Sequence, residues 1–268
     1  MLVSRLLVVW GALAFAGSLA AQVVVSGFTQ TGSLPANDDN YSSAVPLGFS
    51  LNFGGKTYVE TFVSNNGYIT FGSGSSEYSP SPFDTNYLNS GSPGLPIIAA
   101  FFSDVDTRLT GSGIVTWGTG TVNGNAAFTV RWDNVGEYGA STFSGNTFSL
   151  VLVSRPDVGT GSFDAFFNYA NITWDHGEAV AGFHNGSATS PVFYQLPGSG
   201  TAGAFLNGGP NALTLASNTG TGGGVLLRSL DSASPVIGTI APIPEPSTYA
   251  LLALGLGFVV LVLRRRAA

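Results

Sequence analysis

Apolar side chains recur at every second position through the middle of the chain. Over residues 127–133, Phe128, Val130 and Trp132 fall on one side, and Thr129, Arg131 and Asp133 on the other. Residues 147–153 group Phe148, Leu150 and Leu152, although Val151 and Val153 make the opposite side partly apolar too. Phe163, Ala165, Phe167 and Tyr169 repeat the pattern. A period of two marks a half-buried strand. Asn123-Gly124 and Asn66-Gly67 are pairs that take positive φ at low cost. They predict tight turns before 127–133 and between 59–64 and 68–71. No stretch from 22 to 240 carries apolar residues at helical spacing between caps. The pattern predicts an all-β chain, one domain built as an antiparallel β-sandwich or a barrel-like relative. Pro80, Pro82, Pro93 and Pro96 bracket a loop-rich stretch, 79–96, too poor in apolar residues to be core. Phe83 or Tyr87 is the residue expected to pin it.

The two ends break the alternation. Arg5 precedes a continuous apolar run over 6–16, and the small residues Gly17, Ser18, Ala20 and Ala21 follow. That order predicts a secretory signal peptide over 1–21, cleaved at Ala20 or Ala21. At the other end Pro244-Glu245-Pro246-Ser247-Thr248 leads into an apolar run over 249–263 and then Arg264, Arg265 and Arg266. The run is shorter than the roughly 17–25 residues of a comfortable membrane span. Gly255 and Gly257 suit close helix–helix approach, and the arginines favour the cytoplasmic side. This layout resembles the PEP-CTERM sorting signal of Gram-negative bacteria. The resemblance implies a hydrophobic anchor helix held transiently in the inner membrane. It also implies an exosortase, a membrane protease, as the partner that reads Pro244, Glu245 and Pro246. A tail anchor that stays uncut is the alternative. The expected organisation is signal peptide 1–21, β domain 22–230, extended linker 231–243 and sorting segment 244–268.

Composition narrows the setting. The chain has no cysteine, so no disulfide supports an exported fold and stability rests on packing. The net charge is −6, and between the two end segments only Lys56, Arg108, Arg131, Arg155 and Arg228 are basic. That argues against nucleic acid or an anionic membrane surface as partner. Charged residues make up only 9 %, with Ser, Thr, Asn and Gly supplying the polarity. Such a surface hydrogen-bonds more than it attracts ions.

A second resemblance lies in the middle. Ile-Ile-Ala-Ala-Phe-Phe-Ser-Asp-Val-Asp-Thr-Arg at 97–108, Trp-Asp-Asn-Val-Gly at 132–136, Asn-Thr-Phe-Ser-Leu-Val-Leu at 146–152 and Ala-Gly-Phe-His-Asn-Gly at 181–186 together look like a NIDO domain. The similarity covers roughly 97–200, with a leader over 38–71. His176 and His184 stand where polar uncharged or acidic residues are expected. The resemblance implies an extracellular, matrix-associated role and supplies no catalytic mechanism.

Candidate chemistry is sparse. Asp104 and Asp106, two apart with Arg108 next in line, suit either a Ca²⁺ site or a carboxylate–arginine ladder at a strand end. Asn37-Asp38-Asp39-Asn40 offers four oxygen-bearing side chains and reads as a solvated turn, unless it folds beside Asp104 and Asp106. Residues 198–203 match G-x-G-x-x-G without the following helix that a nucleotide site requires. There is no G-x-S-x-G elbow, and His176 and His184 lack a usual zinc spacing. For a glycosidase only Asp133 with Glu137, or Asp175 with Glu178, is available. Trp117, Trp132 and Trp174 read as core, and an exposed one would stack on a sugar ring. The expected function is an exported surface or extracellular-matrix protein of binding or structural type, acting in adhesion or exopolysaccharide association in biofilm or floc. The alternatives are a matrix-acting glycosidase and a lectin-like polysaccharide binder.

Overall fold

The computed structural model describes residues 25–90 and 94–214, with the backbone of two further strands at 224–228 and 236–238. The expected signal peptide and sorting segment lie outside the described residues. Among those described, no helix is long and apolar enough to cross a membrane.

The chain is all-β. Strands β1 (Ser26–Ser33), β2 (Val45–Phe53), β3 (Lys56–Val63) and β4 (Tyr68–Thr70) are followed by a long loop containing one 3₁₀ turn, Tyr87–Asn89. Then come β5 (Ile97–Phe102), β6 (Val105–Asp106), β7 (Val115–Val122), β8 (Asn125–Glu137), β9 (Asn146–Ser154) and β10 (Phe163–Asn171). β11 (Val180–His184), β12 (Phe193–Gln195), β13 (Gly224–Arg228) and β14 (Val236–Gly238) complete the order. The larger sheet runs β1-β7-β8-β9-β10-β13-β14, with β6 also pairing β8, and the smaller runs β12-β11-β5-β4-β3-β2. Each pairing is antiparallel. β14 falls inside the stretch expected to be linker and pairs with β13.

The alternation over β8–β10 fixes which face is buried. Phe128, Val130 and Trp132, Phe148, Leu150 and Leu152, and Phe163, Ala165, Phe167 and Tyr169 all enter the main core. Facing residues of the smaller sheet, among them Phe53, Phe71, Phe101 and Phe183, close it from the other side. Rings interlock across the layers, with Phe53 edge-on to Phe163 at 6.2 Å and Phe101 tilted against Phe148 at 5.2 Å. Trp132 stacks on its cross-strand neighbour Phe148 at 5.1 Å and 11°. All three predicted core tryptophans are buried. Val151 and Val153 face the other way and form a small second cluster with Val25, Val122, Ala127 and Phe166.

β5 is apolar at all six positions because both of its faces are covered. Ile98, Ala100 and Phe101 face the sandwich, whereas Ile97, Ala99 and Phe102 lie under the 71–96 loop with Phe83 and Tyr87. Two consecutive inward residues, Ala100 and Phe101, require a bulge, and the pairing with β11 slips there: Val180 faces Phe102 but Gly182 faces Ala99. Phe83 and Tyr87 are both buried, so each pins the loop.

The predicted turns form as expected. Asn123 and Gly124 both take positive φ, 51° and 82°, the hairpin geometry that matches strand twist. Gly67 (φ +82°) is tighter, because a Cβ there would lie 1.7 Å from the Phe101 carbonyl oxygen.

His184 is buried between Tyr87, at 4.5 Å, and Phe193, stacked at 5.6 Å, and its Nδ1 accepts the Gly186 N–H. Burial lowers its pKa from the ordinary 6.5, against the opposing pull of Asp84. The folded chain therefore binds this proton more weakly than the unfolded one. The contribution is complete above pH 6.5 and lost as the pH falls through the lowered value. The Tm of wild type is expected to fall between about pH 7 and pH 5, and that of His184→Phe to fall less. Parallel profiles would place the acid sensitivity elsewhere.

Candidate functional site

One corner of the sandwich gathers carboxylates from distant parts of the sequence. Asp104 follows β5 as the chain leaves the smaller sheet for β6 in the larger one. Asp38 and Asp39 lie in the connection between β1 and β2. One oxygen from each of the three can be chosen so that all lie within 4.8 Å of one another.

Asparagines hold this connection in place. Asn37 caps its own turn, its Oδ1 accepting the Asn40 N–H at 2.8 Å. Its backbone is tied three times to Thr107: Asn37 O accepts the Thr107 N–H at 2.9 Å and the Thr107 hydroxyl at 2.8 Å, and Asn37 N–H lies 2.9 Å from Thr107 Oγ1. Asn65, fully buried, donates its amide to the carbonyls of Asp38 at 2.5 Å and Val105 at 2.6 Å. Asn66 donates to Asp39 Oδ1 at 3.0 Å and accepts the Val105 N–H at 3.0 Å. The Asn65-Asn66 turn thus clamps the acidic connection against the β5–β6 crossover.

Each carboxylate has a different fate. Asp106 accepts two bonds from the Arg108 side chain, at 2.9 and 2.8 Å, and one from its backbone N–H at 2.8 Å. Burial alone would raise its pKa, but these bonds outweigh it and hold the carboxyl below the ordinary value. Arg108 also reaches Asp38 Oδ2 at 2.7 Å. Asp38 Oδ1 is buried without a partner. Asp104 is 6 % exposed and its Oδ1 likewise has none. Burial, then the charge of Asp39, push Asp104 up to about 6, against a lowering pull from His176. So the two roles weighed for the Asp104/Asp106 pair divide. Asp106 forms the ladder with Arg108, and Asp104 turns to Asp38 and Asp39.

Three of the four acids considered for hydrolysis, Asp133, Glu137 and Asp175, are engaged in local contacts. Glu137 lies 3.2 Å from His176 Nδ1, Asp175 accepts the N–H groups of Gly177 and Gly203, and Asp133 accepts from Thr147 Oγ1 at 3.3 Å. Gly198–Gly203 form loop turns.

A groove of about 310 Å³ opens on the outer face of the larger sheet, where β8, β9 and β10 present the polar half of their alternation. Thr129, Arg131, Asp133, Thr147, Ser149 and Asn168 supply its polar lining. Asn168 donates to Ser149 Oγ at 3.1 Å, and the Arg131 guanidinium sits 4.0 Å from the centre of the Phe28 ring.

Comparison with known proteins gives three family matches. The family described as NIDO related matches residues 15–160, the nidogen-like domain 116–226, and the PEP-CTERM protein-sorting motif 242–266. Human alpha-tectorin is 30 % identical over 201 residues, covering 62 % of this chain and 9 % of its own length. Mouse alpha-tectorin is 31 % identical over the same shares. Nidogen of Drosophila melanogaster is 28 % identical over 207 residues, 65 % of this chain and 14 % of its own. The chain therefore spans only about a tenth of the length of the curated relatives it matches. No solved structure matches it.

Proposed function

Because the chain belongs to the NIDO-related family, we propose that it is an exported, exosortase-sorted surface protein whose sandwich binds matrix polysaccharide without chemically altering it. The observation that carries this reading is the union of a sorting motif at 242–266 with a nidogen-like domain. The motif addresses the chain to the cell surface, and the domain brings a face for contact. The exosortase is the partner of the sorting step, with the inner membrane as its transient site.

The groove on the larger sheet is where contact occurs. Its hydroxyl, amide and guanidinium groups match the donors and acceptors of sugar hydroxyls, and Phe28 supports the Arg131 guanidinium from beneath. The three buried tryptophans supply no stacking platform, so recognition rests on hydrogen bonds. Retention in a biofilm or floc then follows from many weak contacts along a repeating polymer.

The test is co-sedimentation of the protein with the host's exopolysaccharide, read beside release of reducing ends. Wild type is expected to sediment with the polymer and release none. Arg131→Ala combined with Asn168→Ala is expected to weaken retention at least about tenfold, since two polar contacts of a small site are lost. Reducing ends released by wild type would establish the glycosidase alternative. Unbound wild type would end the polysaccharide reading.

A further inference from the structure

We propose that Asp38, Asp39 and Asp104 form a Ca²⁺ site that locks the β1–β2 connection onto the crossover between the two sheets. The inference goes beyond polysaccharide binding and does not depend on it, since the groove and this corner share no residue.

Two independent observations meet here. The first is the donor set. Three carboxylates each offer an oxygen, all within 4.8 Å of one another. Two oxygens bound to one Ca²⁺ at 2.3–2.6 Å can be at most roughly 5 Å apart, and the spacing of these three meets that condition for every pair. The second is the state of those oxygens. Asp104 is 6 % exposed, and its Oδ1 meets neither a donor nor solvent; Asp38 Oδ1 is in the same condition. Buried carboxylate oxygens are normally bonded, and one left bare in a native fold requires an explanation such as an ion.

The surroundings answer the simpler accounts. Arg108 is the neighbouring cation, but its bonds go to Asp106 and to Asp38 Oδ2, leaving Asp104 unpaired. Asn66 satisfies one oxygen of Asp39, and Tyr138 bonds the backbone carbonyl of Asp104, not its side chain. His176 faces Glu137 at 3.2 Å. The asparagine clamp sets the connection in position through the backbone carbonyls of Asp38 and Val105 and one oxygen of Asp39, so the carboxylates are assembled without help from the ion. A hard divalent cation with flexible coordination suits such an irregular set. Ca²⁺ takes six to eight oxygens and completes its shell with water, whereas Mg²⁺ demands a near-ideal octahedron. An exported protein also meets calcium outside the cell.

The experiment is isothermal titration of Ca²⁺ into the full chain, purified in detergent and stripped with chelator, with Tm measured alongside. One Ca²⁺ per chain is expected, with a dissociation constant of about 0.1–1 mM, the range of extracellular modules. Saturating Ca²⁺ is expected to raise Tm by about 5 °C. Asp104→Asn is expected to weaken binding at least tenfold and remove the Tm response. Asp39→Asn, at a partly exposed position, is expected to do the same, and it carries the test if the buried substitution prevents folding. Asp157→Asn, on the β9–β10 turn, is expected to bind as wild type. No binding heat and no Tm shift up to about 10 mM Ca²⁺ would overturn the proposal. So would binding that survives Asp39→Asn or Asp104→Asn unchanged.

Discussion

Replacing Pro244-Glu245-Pro246 with three alanines is expected to leave the protein full length and held in the membrane of an exosortase-carrying host. Wild type in the same host is expected at the surface or in the medium, without residues 249–268. The two prolines fix φ and push the residue before each towards extended backbone, so a helix formed by the apolar run cannot continue upstream through them. An extended backbone is what a protease can accept as substrate. Glu245 adds a charge at that point. Alanine reverses both properties, since it is the best helix former and carries no charge. Arg264, Arg265 and Arg266 are expected to hold the far end on the cytoplasmic side and so to set the depth at which the junction stops. Mass spectrometry of the intact protein measures the outcome directly. An uncut C-terminus on wild type in such a host would make the segment a plain tail anchor.

Trp132→Ala is expected to destabilise the sandwich by about 3–5 kcal/mol, enough to unfold much of a domain of ordinary stability. Trp132 lies in the centre of β8, stacked on Phe148, and its indole N–H is shared by the carbonyls of Ser64 and Asn65 at 3.2 and 3.0 Å. The substitution therefore opens a cavity and strips a donor from the turn that clamps the acidic corner. Trp132→Phe keeps a ring stacked on Phe148 but loses the N–H together with the volume of the second ring, so it combines the lost hydrogen bond with a smaller cavity. It is expected to cost about 1–2 kcal/mol. Urea unfolding of both variants measures this. A Trp132→Ala midpoint near that of wild type would show that the inter-sheet core does not depend on this ring.

The strands that could be read in the sequence are those with one wet face. β8 shows the period of two best, with Arg131 and Asp133 outward. In β9 and β10 the inward apolar positions still recur at every second residue, but Val151, Val153 and Phe166 point outward into a second small cluster and blur the period. β7 is obscured by Gly118 and Gly120, and packing explains why. A Cβ at Gly118 would lie 2.1 Å from the Thr29 carbonyl oxygen, and one at Gly120 would lie 2.7 Å from that of Ser26. The close approach of β1 excludes side chains there and erases the pattern. β5 is hidden for the opposite reason: covered on both faces and bulged at Ala100-Phe101, it reads as an unbroken apolar run. The acidic corner was legible only as fragments. Asp38 is visible as an acid in a turn and Asp104 as one at a strand end, but their meeting depends on Asn65, Asn66 and Thr107. Ordinary polar residues of this kind carry no signal until the chain folds around them.

The last paired strand, β14, ends at Gly238, and the sorting motif begins at Pro244. A fully stretched chain spans at most about 3.6 Å per residue, so the folded edge of the larger sheet can stand no more than roughly 20 Å from the junction. If the sorting segment anchors the chain before it is cut, such a leash would confine the sandwich to a thin layer above the membrane. Neighbouring copies would then meet in two dimensions rather than three, and a polymer strand passing through that layer would encounter many grooves at nearly the same height. A cut at the junction would end that confinement at a stroke, turning a carpet of tethered modules into freely diffusing ones.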